Sequence, residues 1–182
     1  MRSLYRSSID TDYISSQHVL IRWEKTLAFL NKEKNVNTGL DIGDRTPFTD
    51  QLEKYFNCTF DNTNIDLDEE HLTGKYDIIT AFEIIEHLFN PLHLLLEIKS
   101  ILNEGGTLYV STPKWKPYFL WSNEHFHEMG YDRLHSLIDR AGFCIIREKQ
   151  IRIQPIWFYF TGIRPILRFI FERHLILKLS PR

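Results

Sequence analysis

Cysteine and net charge are both scarce in this 182-residue chain, and long apolar runs are absent. The two cysteines, Cys58 and Cys144, lie far apart and match no metal-binding spacing. A disulfide scaffold and a zinc ribbon are thereby excluded, and two buried thiols in apolar, strand-like runs are the expectation. No stretch of about 18 uncharged apolar residues occurs, so a transmembrane helix is not expected. The opening MRSLYRSSIDTDYIS lacks the apolar core of a signal peptide, which makes the cytoplasm the expected location. A net charge of −2 gives no bulk attraction to nucleic acid, and no nucleic-acid partner is expected.

What is present describes a globular domain. With 43% hydrophobic and 25% charged residues, the chain can bury one sizeable core but is too short for two ordinary domains. Its charge is uneven. From Arg147 onward there are eight basic residues (Arg147, Lys149, Arg152, Arg164, Arg168, Arg173, Lys178 and Arg182) against the acids Glu148 and Glu172. Much of the aromatic content sits in the same stretch.

Along the chain, residues 1–12 read as a mobile arm. A helix is expected from Ser15, because Leu20, Trp23, Leu27 and Leu30 recur at helical spacing. A short strand at 38–42 ends in Gly43-Asp44-Arg45-Thr46-Pro47, where Thr46 suits an N-cap and Pro47 a first helical turn. Phe48, Leu52 and Tyr55 or Phe56 mark the inner face of that helix. A second strand is expected at 57–60, a short extended piece at 63–67, and a strand covered on both faces at 76–82. Asn90-Pro91 opens a leucine-rich helix that Gly105-Gly106 should stop. A strand at 107–111, a helix at 131–141 closed by Gly142, and a strand at 143–153 complete the alternation. Strands alternating with helices imply a mainly parallel sheet with helices on both faces. No internal repeat or low-complexity linker interrupts it. The division expected is one domain: arm and helix at 1–35, core at 36–153, and a basic aromatic segment at 154–182.

Between Tyr76 and Phe143 the order of parts is specific. The run YDIITAFEIIEHL is followed by Asn90-Pro91, the leucine-rich helix, and then LNEGGTLYVSTP. Further on come His125-Phe126-His127-Glu128, a helix and Ala141-Gly142-Phe143. This order resembles the class I S-adenosylmethionine methyltransferases of the type 11 group, over roughly residues 36–150. The resemblance implies a Rossmann-like α/β fold, S-adenosylmethionine as cofactor, and methyl transfer to a small-molecule or lipid-linked acceptor. It places Asp41 and Gly43 at the turn after the first strand, where glycine lets a cofactor approach the backbone. Asp61 takes the position of an acid that accepts from ribose hydroxyls. Asp66 could meet the adenine amino group, and Phe82 and Glu83 would line the pocket near the transferred methyl.

The sequence also departs from the family pattern. Arg45 and Pro47 stand where further glycines are usual, and the stretch from Asp41 to Tyr76 lacks about twenty residues, most of one βα unit of about thirty. The cofactor-binding half is expected to be shortened. Arg45 could compensate by pairing with the cofactor's carboxylate. His87, His125 and His127 are the candidate catalytic bases, since imidazole titrates near neutral pH. In an extended loop, alternate spacing would put His125 and His127 on one side. With no third ligand evident in the sequence, no metal is expected.

Trp115, Tyr118, Phe119 and Trp121 form a candidate lid. Residues 155–179 can pack on the domain, with 174–179 as a final antiparallel strand. Alternatively, their basic amphipathic helix from Pro165 can lie on a membrane surface or cover a lipid-like acceptor, making the protein peripheral to the membrane. The same aromatic segment could make a homodimer surface. Two functional classes follow: an enzyme, and a non-catalytic relative that binds a partner or ligand on a worn-down site. A nicotinamide dehydrogenase fits less well, for want of a fuller glycine-rich turn.

Overall fold

The computed structural model describes residues 16–33 and 36–182; the arm expected at 1–12 lies outside the described residues. Helix α1 covers Gln17–Leu27, and its buried residues are Val19 and Thr26. Leu20, expected inside, is 49% exposed. Strand β1 (Thr38–Asp41) leads into α2 (Pro47–Phe56). Thr46 caps α2: its hydroxyl accepts from Phe48 N, and the Thr49 hydroxyl accepts from Thr46 N. Both bonds satisfy N–H groups that a helix start leaves orphaned. Of the two aromatic candidates at its end, Phe56 is buried and Tyr55 is half-buried.

Strand β2 covers Thr59–Asn62, two residues later than the periodicity predicts. Asn57 accounts for the delay. It closes α2 in the left-handed conformation at φ 57° and cannot begin the strand. Strand β3 (Tyr76–Phe82) is where expected. Residues 63–75 hold no strand, so the extended piece at 63–67 does not exist as a sheet element and β2 is the sheet edge. Their acids build turns instead. Asp66 accepts from Asp68 N, and Asp68 accepts from Phe89 N and Asn90 N.

Helix α3 (Pro91–Ile101) starts on the Asn90 cap and passes directly into β4 (Leu102–Pro113). Gly105 and Gly106 do not stop the helix. They lie in a stretch where β4 shifts register, between the pairs Tyr76↔Leu102 and Ile78↔Thr107. After β4 come α4 (Tyr131–Arg140), β5 (Phe143–Ile151), α5 (Ile163–Phe171) and β6 (His174–Pro181).

The six strands lie in the order β2-β1-β3-β4-β6-β5. The pairs among β1 to β4 are parallel, and β6 runs antiparallel to both β4 and β5. The last strand is therefore inside the sheet, and segment 154–182 is not an appendage to a core ending at 153. Its apolar helix is less integrated: no residue of α5 is buried. The expectation that this segment packs on the domain holds fully for β6, whereas α5 rests on it through Phe169, against Tyr159 and Arg152, without burying a residue.

Strand alternation divides the core between the faces. Ile79, Leu108, Leu175 and Leu177 pack with Leu94, Leu95 and Ile98 of α3 and Leu134 of α4. Ile78, Tyr109 and Ile176 face the other way, toward Phe48, Leu52 and Phe56 of α2. Each fully buried aliphatic side chain contributes roughly 1.5–3 kcal/mol. Gly39 is required on the α2 face, because a Cβ there would lie 2.4 Å from the Phe60 ring. The two cysteines are free and half-buried, not fully buried.

Candidate functional site

The carboxyl ends of β1, β3 and β4 bring the sequence candidates to one edge of the sheet, at the switch point where β1 and β3 adjoin. Ligands of open α/β sheets bind at such edges. Asp41 lies there but faces inward. Its Oδ2 accepts from the Thr49 hydroxyl and its Oδ1 from the Thr80 hydroxyl, each at 2.6 Å. Burial raises its pKa, against the lowering effect of these two hydrogen bonds. Asp41 thus ties β1 to α2 and β3, and its carboxylate is not directed at a cofactor as expected.

Gly43 fulfils its expected conformational role with φ +103°, and a Cβ there would meet Ile84 Cδ1 at 3.4 Å. Its N–H donates to the Thr63 hydroxyl at 2.7 Å, and its carbonyl accepts from Asn62 Nδ2. Arg45 is turned elsewhere. It pairs with Asp50 at 2.6 Å and Glu53 at 2.7 Å, which stand one and two turns along α2 on its own side. The expected pairing with a cofactor carboxylate is therefore replaced by these two acids. Asp61 is exposed near the end of β2, where one oxygen accepts from Tyr76 OH at 3.0 Å. Asp66 caps the turn described above, since the strand that would have carried it to an adenine site is missing. Phe82 packs edge-on against Phe48 and belongs to the α2-side core.

Glu83 is the most constrained residue of the edge. Its backbone holds φ +57°, an uncommon conformation for a residue with a side chain. Its Oε2 lies 2.8 Å from His174 Nδ1 and 3.2 Å from Arg22 Nη1, and its Oε1 accepts from the Ser111 hydroxyl. Desolvation opposes the charge on Glu83, but His174 and Arg22 outweigh it and hold the carboxyl well below the usual range. Arg22 and His174 were not legible as site residues. They come from α1 and β6, and no local pattern links them to Glu83.

A second cluster stands beside the first. Glu86 lies on the short turn Ile85–His87, fully buried, and its Oε2 accepts from the Thr112 hydroxyl at 3.1 Å. Its Oε1 is buried without a hydrogen-bond partner among the described residues. Burial, then the neighbouring Glu83 charge, pushes the Glu86 carboxyl well above the usual range. His87 Nδ1 donates to the Glu124 carbonyl at 2.9 Å, and the atoms packed around the ring lower its pKa by desolvation. His125 donates from Nδ1 to Glu128 at 2.8 Å, and its ring meets that of His87 edge-on at 4.8 Å. Glu128 also pairs with Lys116 at 2.6 Å. Burial raises the Glu128 pKa, but the hydrogen bonds from His125 and Lys116 bring it below the usual value.

His127 leaves this group. The backbone N–H groups of Phe126 and His127 both donate to the Glu86 carbonyl, which curls the loop, and His127 Nε2 turns to the Phe89 carbonyl. The extended geometry that would align His125 with His127 is therefore not adopted. The structure instead adds Glu86 to His87 and His125, the third donor the sequence did not reveal. The candidate lid is anchored by buried Leu120, while Trp115, Tyr118, Phe119 and Trp121 are exposed. None of the predicted site residues lines the groove between α4 and β5, which is bordered by His135, Phe143 and Arg182.

The profile of a methyltransferase-domain family matches residues 12–148. Among curated proteins, the mitochondrial ubiquinone biosynthesis O-methyltransferase of Candida albicans is 28% identical over 86 residues, covering 47% of this chain and 26% of that one. The ubiquinone biosynthesis O-methyltransferase of Glaesserella parasuis is 45% identical over 40 residues, covering 22% of this chain and 17% of that one. The matched segments thus span about a quarter or less of these relatives. Among solved structures, the N-methyltransferase NodS of Bradyrhizobium japonicum, in complex with S-adenosylhomocysteine, superposes with a TM-score of 0.68 at 13% identity, covering 96% and 93% of the two chains. An O-methyltransferase of a polyketide synthase multienzyme from Brevibacillus brevis gives 0.67 at 15% identity, covering 87% and 71%.

Proposed function

Because the chain belongs to this methyltransferase-domain family, we propose that it transfers a methyl group from S-adenosylmethionine to a small-molecule or lipid-linked acceptor. The observation that carries the reading is the shared edge. Gly43, Asp61 and the His87–His125 pair all stand around the carboxyl ends of the parallel strands, and the loop that follows β4 joins them there through the Glu124 carbonyl on His87.

The residues present fit the cofactor at one decisive place. The Gly43 turn has a left-handed φ and no side chain, so a ligand can approach its backbone where a Cβ would otherwise stand in contact with Ile84. Asp61 keeps one carboxylate oxygen beyond its Tyr76 bond for vicinal hydroxyls. When bound, S-adenosylmethionine supplies a methyl on a sulfonium whose sulfur leaves with the bonding pair. The chain's own contribution is mainly positioning, which can account for several kcal/mol of such a barrier. His87 has Nε2 as its proton-accepting atom, since its Nδ1–H is spent on Glu124, and its lowered pKa favours the neutral form. The O-methyltransferases among the relatives favour an acceptor oxygen. Exposed apolar residues of the lid and of α5, bridged by Arg164 donating to the Phe119 carbonyl, support a lipid-linked acceptor and contact with a membrane surface.

One set of observations favours a second reading, that of a non-catalytic binder. Asp41 has both oxygens occupied internally, Arg45 is paired with two acids of α2, and Arg22 and His174 converge on Glu83. Calorimetric titration with S-adenosylmethionine and S-adenosylhomocysteine separates the two. Saturable binding that Asp61→Ala weakens about tenfold or more, with Arg45→Ala neutral, supports the enzyme. Absence of heat and of any thermal shift in folded protein supports the binder. Asp41→Ala is a poor probe, because it removes a buried anchor whatever the function.

A further inference from the structure

We propose that Glu86, His87 and His125 form a binding site for a divalent transition-metal ion. The inference deepens the methyltransferase reading and rests on it for its catalytic meaning, although the metal site itself does not.

Three ligand atoms, one from each residue, lie within 4.8 Å of one another. They come from two segments far apart in sequence, which the Phe126 N–H holds together by donating to the Glu86 carbonyl at 2.8 Å. The imidazoles are oriented as ligands require. His125 gives its Nδ1–H to the Glu128 carboxylate and His87 gives its own to the Glu124 carbonyl. With each Nδ1 so engaged, Nε2 is the ring nitrogen that each imidazole would turn to an ion. A carboxylate or carbonyl behind a histidine is the usual support of a metal-bound imidazole, fixing its tautomer and raising its basicity.

The third donor supplies the independent observation. Glu86 Oε1 is buried and has no hydrogen-bond partner among the described residues, while Oε2 is held by Thr112. Leaving such an oxygen unsatisfied costs about 1–3 kcal/mol or more. A cation beside it would remove that cost and the repulsion from Glu83. Glu83 itself is not a fourth ligand, because Arg22, His174 and Ser111 occupy it.

The donor set selects the ion. Two imidazoles and one carboxylate suit zinc, iron, cobalt or nickel, whereas magnesium and calcium prefer all-oxygen sites. Ligands about 2.0–2.2 Å from a metal stand roughly 3.3 Å apart. Binding an ion would therefore draw the three ligand atoms together from their present spacing. Three protein ligands leave a position open, as in catalytic sites.

An acceptor oxygen in that position would lose its proton more readily. In the transfer, the acceptor O–H bond breaks and its proton goes to water. The freed oxygen pair forms the bond to the methyl carbon, and the carbon–sulfur bond breaks with its pair on sulfur. His87 is then a ligand, and the ion does what an imidazole base would otherwise do.

The test uses the full, tag-free chain after chelation and dialysis, titrated with Zn2+ by calorimetry and with Co2+ by visible absorption. One saturable site is expected, with the d–d bands of a nitrogen- and oxygen-ligated cobalt ion. Glu86→Gln, which keeps the side chain's shape, and His125→Ala should each weaken binding about tenfold or more. His127→Ala, at the Phe89 carbonyl, should bind like the parent chain. Absence of zinc heat and of cobalt bands in the parent overturns the site, as does unchanged affinity in both Glu86→Gln and His125→Ala. S-adenosylhomocysteine is titrated separately into each variant, so loss of metal binding with intact cofactor binding, and the converse, are read independently.

Discussion

The carboxylate of Glu83 lies 2.8 Å from Nδ1 of His174, joining the turn after β3 to the first residue of β6. The pair crosses the intervening strand β4, whose Ser111 hydroxyl donates to the same carboxylate. Arg22 of α1 reaches the same Oε2 as His174, so α1, β4 and β6 all converge on this one carboxylate.

Removing that acid should strand two basic groups. Glu83→Ala is expected to lower stability by about 3–5 kcal/mol, the usual cost of breaking a buried ion pair from one side. Glu83→Gly should lose less, because glycine accepts the φ of +57° without strain. Urea unfolding of both variants checks the order, and equal losses would show that the backbone there is not strained.

Acid stability should depend on Asp77. Its carboxylate accepts from Asn103 Nδ2 at 2.7 Å, Asn37 N at 2.8 Å and Thr38 N at 3.1 Å, clamping the start of β1 to β3. Burial raises its pKa, but these hydrogen bonds more than compensate and the net shift is downward. The stabilisation is thus complete above the unfolded value of about 3.9 and is lost as pH falls through the folded one. Asp77→Asn should flatten the decline of stability below about pH 4, measured by denaturant midpoints across that range.

Gly43→Ala tests the turn after β1. The left-handed φ should cost about 1–2 kcal/mol, with little steric penalty beyond the 3.4 Å approach to Ile84. If the backbone of this turn receives the cofactor, affinity for S-adenosylhomocysteine should fall by more than the stability change explains. Calorimetry with unaltered affinity would remove the turn from the binding site.

Membrane contact is tested by point substitution, because deleting 154–182 would excise an internal strand. Trp157, Phe160 and Ile163 are 60%, 81% and 80% exposed, so replacing all three by serine should leave the melting temperature nearly unchanged. Flotation with anionic phospholipid vesicles should show binding by the parent chain and its loss in the triple variant. Equal flotation of the two proteins, or none by either, would discard the contact.

Much of the fold was legible because its signals are local. Thr46-Pro47 and Asn90-Pro91 mark helix starts through capping and proline chemistry, and the apolar run at 76–82 marks a strand buried on both faces. The errors were local too. Asn57 delays β2 by capping α2, and α3 enters β4 without the break that Gly105-Gly106 suggested. No separate strand forms at 63–67, where Asp66 and Asp68 spend their side chains on backbone N–H groups.

The sequence by itself determined the alternating α/β architecture, the shortened stretch before β3, and the residue types offered to the carboxyl edge. Which of those residues meet was decided only by tertiary structure. Hydrogen bonds and ion pairs act over a few ångströms, whereas Arg22, Glu83 and His174, or Glu86 and His125, are distant along the chain. Placing β6 between β4 and β5 delivers His174 to Glu83, and curling the loop onto the Glu86 carbonyl delivers His125 while sending His127 away. The same packing turned Asp41 inward onto threonine hydroxyls and laid Arg45 along the surface against the α2 carboxylates, so each is satisfied by its neighbours within the fold.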